Sequence, residues 1–387
     1  MINIDSEILN KIPTPSYIID ENRVINNLEI LDSVQKQTGC KILLAQKAFS
    51  MYCLYSLIGK YLKGAAASGL FEAKLGHEEM GGETHIFSPA YVDGEFDEIV
   101  KICDHIVFNS FEQFSKFKGR AGEKQVGLRI NPEYSEIEHE IYNPCAKNSR
   151  FGVKFNNLKA NRDILKEING LHFHTMCEQN SDVLWRTVEI INEEFGEFLA
   201  YDNIKWINFG GGHHITRNDY DIETLVKSIM FIKDKYNVEV YLEPGEAIAL
   251  NTGILVSAVI DIVDNTDSGD EFPVAILDTS AVCHMPDVLE VPYTPEVFGA
   301  GYISEKKYNY RFGGNTCLAG DIIGDYSFDN ELKAGDKIVF GDMAHYTMVK
   351  NNTFNGVNLP SIVLLKQNGG IEIVKEFGYK DFKMRLS

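Results

Sequence analysis

The sequence predicts an α/β chain, a (β/α)8 TIM-like barrel with a C-terminal all-β domain. Three observations predict it. Short apolar, β-rich runs alternate with longer amphipathic stretches as far as Gly245. Eight such strand–helix units can be counted, the number that closes a parallel barrel. Beyond Gly245 helical periodicity becomes scarce, and β-rich runs are separated by Gly-, Asp- and Pro-rich turns.

The elements follow in order. A strand at 17–20 and a helix at 22–37 precede the barrel. The barrel strands are expected at 41–45, 64–67, 84–87, 105–108, 125–130, 171–174, 206–209 and 239–242. Helical segments are expected at 49–62, 71–80, 95–103, 111–117, 158–168, 183–199 and 222–236. Strands of the β domain are expected at 254–263, 274–278, 337–340 and 371–374. The division is therefore 22–250 for the barrel, with 1–21 and 251–387 as the β-sheet domain.

Composition narrows the function. Hydrophobic residues make up 44% of the 387, enough for a sizeable core. The chain carries 56 acidic and 37 basic residues, a formal charge of −19. That argues against nucleic acid, whose phosphates demand a basic face. It suits a cationic small molecule, or it serves solubility alone. The seven cysteines are scattered without a C-x-x-C pair, which argues against a disulfide framework or a structural zinc site, and no metal is expected. No apolar run reaches membrane-spanning length and no secretory signal is visible, so a cytoplasmic protein that binds no membrane is expected.

Catalytic groups of such barrels gather at the C-terminal strand ends. The first strand ends at Lys47; taken alone this reads as a surface lysine, but burial at a strand end would free its amine for Schiff-base chemistry. The sixth ends in Leu171-His172-Phe173-His174, where alternation puts both histidines on one face. His174 suits a ring against a flat cofactor, and His172 a satisfied core position. The seventh ends in Gly210-Gly211-Gly212, at a frequent phosphate address of these barrels. The eighth ends in Glu243-Pro244-Gly245-Glu246. Glu243 reads either as the partner of a protonated pyridine nitrogen or as a turn cap. Lysine, glycine loop and acid on three strand ends together fit a phosphorylated aldehyde cofactor. In the β domain, Cys317 lies between Gly314 and Asp321, Asp278 ends a strand, and Tyr346 follows small residues. Cys317 reads as an acid or base, or as a buried inert thiol.

These islands resemble the fold-type III, alanine-racemase-like pyridoxal-phosphate enzymes, and most closely their ornithine and diaminopimelate decarboxylase branch. The likeness runs from about Thr14 to Val357. It implies pyridoxal 5′-phosphate as cofactor, with Lys47 as its Schiff-base lysine and His174 stacked on the ring. Gly210, Gly211, Gly212 and Tyr346 would hold the phosphate, and Glu243 the pyridinium. Ala67-Ser68 with Glu72, Ser149-Arg150-Phe151-Gly152 and Phe354-Asn355-Gly356 resemble further islands of the branch. Cys317 matches the cysteine donated across a homodimer interface, and Asp278 a substrate-contacting aspartate.

Two departures refine the resemblance. Glu246 stands where the branch reads arginine, and Leu318 follows the cysteine where the branch carries an acid. With Gly210 to Thr216 and Thr316 to Asp321, they resemble the carboxynorspermidine/carboxyspermidine decarboxylases. That resemblance implies decarboxylation of a cationic polyamine precursor, with Lys47, Cys317 and His174 catalytic and Glu246, Asp278 and Asp321 receiving the amine tail. Diaminopimelate or ornithine decarboxylation, an amino-acid racemase, and a non-catalytic binding protein are the alternatives.

Overall fold

The computed structural model describes Leu9 and residues 11–387. The chain divides into two compact units, one of Asn26–Ile248 and one of Met1–Ile25 with Ala249–Ser387.

The first unit is a closed parallel barrel. Its strands are Lys41–Ala45, Gly64–Ala67, Glu83–Phe87, His105–Phe108, Gln125–Asn131, Gly170–His172, Trp206–Asn208 and Glu239–Leu242. They pair in that order, and the eighth returns to the first through Tyr241↔Lys41 and Leu242↔Ile42. A two-residue strand, Val153–Lys154, adds to the fifth. Leu43, Ala66, Val107, Trp206 and Tyr241 pack inside, with Phe87 against them. Gly127 and Gly170 make room for the Trp206 indole: a Cβ at either would collide with its ring. At the N-terminal strand ends Lys41 pairs with Glu83 at 2.8 Å and Glu239 at 3.1 Å, and Tyr241 donates to Glu83 at 3.0 Å.

The long helices are Ser181–Leu199 and Ile222–Tyr236. The first buries Leu184, Val188, Ile191 and Phe195 at spacings of three and four, the period of one helix face. The second is capped by Asp221, whose side chain accepts from Thr224 N, and ends at left-handed Asn237 (φ 53°). Two helical expectations shrink. The 49–62 stretch forms only a 3-10 turn at Tyr52–Leu54 and the helix Tyr55–Ile58. Gly59 ends it beside the Met80 carbonyl, where a Cβ would be too close. The 158–168 stretch forms Phe155–Ala160 and a 3-10 segment Arg162–Glu167, broken at Asn161 (φ −118°).

The second unit is a mixed sheet. Its order is Ile322–Phe328, Tyr308–Gly313, Val274–Leu277, Gly253–Val263, Ser16–Asp20, Ser361–Leu365 and Ile371–Lys375, with Lys337–Phe340 also on Gly253–Val263. Ser16–Asp20 is central, antiparallel to Gly253–Val263 and parallel to Ser361–Leu365. Ile12, Ile18, Ile254, Val256 and Val363 form its core. Three of its strands were not anticipated: Tyr308–Gly313, Ile322–Phe328 and Ser361–Leu365. The first two are joined by exposed polar pairs such as Arg311–Asp325 (2.7 Å), which dilute the apolar alternation. Short helices at Ala281–His284, Asp287–Glu290 and Tyr379–Leu386 were also not expected. Among the described residues no helix is long and apolar enough to cross a membrane.

Candidate active site

The barrel mouth gathers the strand-end residues. Lys47 follows the first strand; its side chain is reached by solvent, yet it stands among protein on every side within the mouth. Burial, and then the positive charge of Arg129, push its amine below the ordinary lysine value. A lysine so placed loses its proton more readily, which is the state a carbonyl needs.

Glu243, at the end of the eighth strand, is largely buried, its side chain 16% exposed. Asn208 Nδ2 donates to its Oε1 at 2.7 Å, and His172 Nε2 lies 3.4 Å from its Oε2. Burial opposes the charged form, but these partners outweigh it and bring the pKa down to about 2. The site therefore holds a fixed anion, which would fit a protonated ring nitrogen.

His174 is pushed well below the ordinary histidine value, first by burial and then by the nearby charges of Lys47 and Arg129. Its Nδ1 accepts from Gly211 N at 3.0 Å, which fixes a neutral ring on the glycine tract. Gly210 N donates to Asn208 Oδ1 at 2.8 Å. Two of the three glycine N–H groups are thus committed within the protein. Their main contribution is the missing side chain. A Cβ at Gly210, Gly211 or Gly212 would strike the Phe173, Glu243 or Met176 carbonyl, and Gly210 and Gly212 hold φ of 68° and 84°. The reactive amine, the neutral flat ring, the fixed anion and the side-chain-free cradle together fit pyridoxal phosphate.

Sequence reasoning missed Arg129 and the role of His172. Arg129 is 5% exposed, with its guanidinium 4.4 Å from the Phe87 ring centroid and 4.5 Å from that of Phe151. An arginine inside the apolar run 125–131 was the available signal. His172 was read as a core residue; it is buried, but its ring serves Glu243. Glu246 is 13% exposed, and its Oε1 lies 3.3 Å from His214 Nε2. Glu72 caps its own loop, accepting from Ser68 N at 2.6 Å.

The remaining residues lie in the sheet unit. Cys317 is exposed, and its N–H donates to Asn355 Oδ1 at 2.8 Å. The buried Asp321 carboxylate accepts from Ser280 Oγ at 2.8 Å, Thr316 Oγ1 at 2.6 Å and Val282 N at 3.2 Å, so it braces the cysteine loop. Asp278 Oδ1 accepts from Ser257 Oγ at 2.7 Å and Ala258 N at 2.8 Å. Tyr346 sits at a left-handed φ of 47°.

Comparison with known proteins places this geometry. Residues 16–344 match the family described as pyridoxal-dependent decarboxylase, C-terminal sheet domain. The chain belongs to that family. It is 45% identical to the carboxynorspermidine/carboxyspermidine decarboxylase of Campylobacter jejuni, over 97% of this chain and 99% of the relative. It is 40% identical to the carboxyaminopropylagmatine decarboxylase of Synechocystis, over 98% and 96%. The crystal structure of the Campylobacter jejuni carboxynorspermidine decarboxylase, complexed with norspermidine, superposes with a TM-score of 0.89 at 44% identity, covering 97% of this chain and 100% of that one.

Proposed function

We propose that this pyridoxal-dependent decarboxylase converts carboxynorspermidine or carboxyspermidine to norspermidine or spermidine, as a homodimer with shared active sites. The observation that carries the reading is the full-length 45% identity to an enzyme of that activity, joined to a barrel mouth where an acid, Glu246, replaces the branch's arginine. A negative charge there attracts an ammonium tail and repels a second carboxylate.

When bound, the cofactor supplies a sink for the electron pair left as the Cα–carboxylate bond breaks and carbon dioxide departs. Lys47 would hold the cofactor as its Schiff-base lysine. Glu243 would hold a proton on the cofactor's ring nitrogen, and His172 and Asn208 hold Glu243. His174 would hold the cofactor ring, the glycine tract and Tyr346 would hold its phosphate, and Arg129 lowers the pKa of the Lys47 amine. Cys317 Sγ, supplied by the second copy, returns one proton to Cα, replacing the lost carboxylate. Its exposure, beside Leu318 at 48% and Phe354 at 43%, supports a partner covering this face. Glu246 and Asp278 receive the cationic tail, and Asp321 acts on it through the loop it braces.

Incubation of the cofactor-loaded protein with carboxynorspermidine and mass spectrometry of the products tests the reading. Norspermidine is expected; unchanged substrate would refute it. The 40% identity to the Synechocystis enzyme makes carboxyaminopropylagmatine the second substrate to assay.

A further inference from the structure

The C-terminal helix, Tyr379–Leu386, has no buried side chain. An isolated helix of eight residues is marginal in water and needs packing to hold it. Phe382 is half-buried, its ring over Gly356. Tyr379, Met384 and Leu386 stand 74%, 70% and 60% exposed. Asp381 is engaged by Gly378 N at 2.9 Å, whereas Lys380, Lys383 and Arg385 make no ion pair among the described residues. The helix is an apolar, cationic patch on a chain of net charge −19.

This patch borders the Cys317 loop. Gly356 follows Asn355, whose side chain accepts from Cys317 N at 2.8 Å. The exposed Leu318 and Phe354 extend the apolar surface. A copy that receives Cys317 at its barrel mouth comes against this helix as well.

The barrel mouth carries a patch of the opposite kind, in the loop after the fifth strand. Ser135 Oγ donates to Thr175 O at 2.7 Å, which pins the loop to the residue after His174. Arg186 holds Glu136 in two bonds, at 2.6 and 2.8 Å, and Lys154 holds Glu133. Glu138 and Glu140 are exposed and make no ion pair among the described residues, and the adjoining Ile141 is 67% exposed. Pairing the helix with its own copy would bring like charges together, so it fits an acidic surface with an apolar centre. The rim loop is such a surface.

We infer that the C-terminal helix of each copy docks on the rim loop of the other, with Lys380 and Lys383 facing Glu138 and Glu140 and the exposed apolar side chains packing on Ile141. This rests on the shared-site reading above. It names the two surfaces that hold the shared site together, and a two-fold dimer contains the contact twice.

The test is a charge exchange in cofactor-loaded protein, read as the dimer dissociation constant by analytical ultracentrifugation at low salt. Lys380→Glu with Lys383→Glu, and separately Glu138→Lys with Glu140→Lys, should each raise that constant about ten- to a hundredfold with the cofactor absorbance unchanged. The second variant lowers the net negative charge of the chain, so overall repulsion cannot produce its effect. Mixed in equal amounts, the two variants should dimerise within about threefold of wild type, because each copy then meets opposite charge at both contacts. A contact made within one chain would gain nothing from mixing. Both defects should shrink at high salt. Unchanged constants, or weakened dimers that mixing does not rescue, overturn the docking pair while the wild-type dimer keeps the homodimer reading intact. So does wild-type binding to phosphatidylglycerol vesicles that Lys380→Glu with Lys383→Glu abolishes while dimerisation is unaffected. A wild type that is monomeric at micromolar concentration removes both the pair and the homodimer reading.

Discussion

Replacing Glu243 by glutamine removes one charge and almost no volume. In the structure the carboxylate is anchored by Asn208 at 2.7 Å and approached by His172 at 3.4 Å. A pKa pushed down to about 2 corresponds to about 3 kcal/mol in favour of the anion. Glutamine can keep the Asn208 hydrogen bond through its own carbonyl, so the fold should survive. What it cannot keep is the charge-assisted bond to a protonated ring nitrogen, worth about 1.5–3 kcal/mol. The expected result is a fall in kcat of about ten- to a hundredfold with cofactor still bound, read by steady-state carbon dioxide release and by cofactor absorbance. The sign of the pH effect is also fixed. A carboxylate with a depressed folded pKa contributes stability that is present above about pH 4.5 and lost as the pH falls toward 2. The substituted protein should lack that part of the acid loss in denaturant titrations of the cofactor-free protein. Because His172 acts through the same carboxylate, His172→Phe combined with Glu243→Gln should cost less than the two effects added. Full kcat in Glu243→Gln with cofactor bound would refute the assignment.

Other outcomes follow from the same geometry. Borohydride reduction of the cofactor-loaded protein should label Lys47; label on a different lysine would remove its role. Arg129→Gln should raise the Lys47 pKa, since it deletes a positive charge that lowers it, and so slow reaction of free pyridoxal with Lys47 near neutral pH. Mixing inactive Lys47→Ala and Cys317→Ala proteins should restore activity if subunits share sites; no recovery despite demonstrated exchange would count against sharing. Gly170→Ala drives a Cβ into the Trp206 ring and should cost about 1–3 kcal/mol in urea titrations at constant slope.

The barrel was legible because its strands are buried on both faces. Such strands read as unbroken apolar runs, and those at 41–45, 64–67, 105–108 and 239–242 appear with the expected bounds. The sheet unit was less legible. Its strands are short and partly exposed, and Tyr308–Gly313 and Ile322–Phe328 hide behind polar cross-strand pairs. Lys47, His174, the glycine tract and Glu243 could be picked out because each ends a strand, and strand ends converge in a parallel barrel. Arg129 and Asn208 could not, because their meaning lies in partners from other strands. Asp321 shows the opposite error of sequence reading. An acid near a reactive cysteine looks available for a cation, whereas its oxygens brace the loop through Ser280 and Thr316.

Under the proposed function, the barrel mouth selects a cationic tail and rejects a second carboxylate. The most direct measurement is kcat/KM of the wild-type protein for carboxynorspermidine, carboxyspermidine and meso-diaminopimelate under one set of conditions. Glu246 in place of arginine should favour the two polyamine precursors by at least about a hundredfold, the worth of one charged pair gained and one repulsion avoided. Equal or faster turnover of diaminopimelate would contradict it.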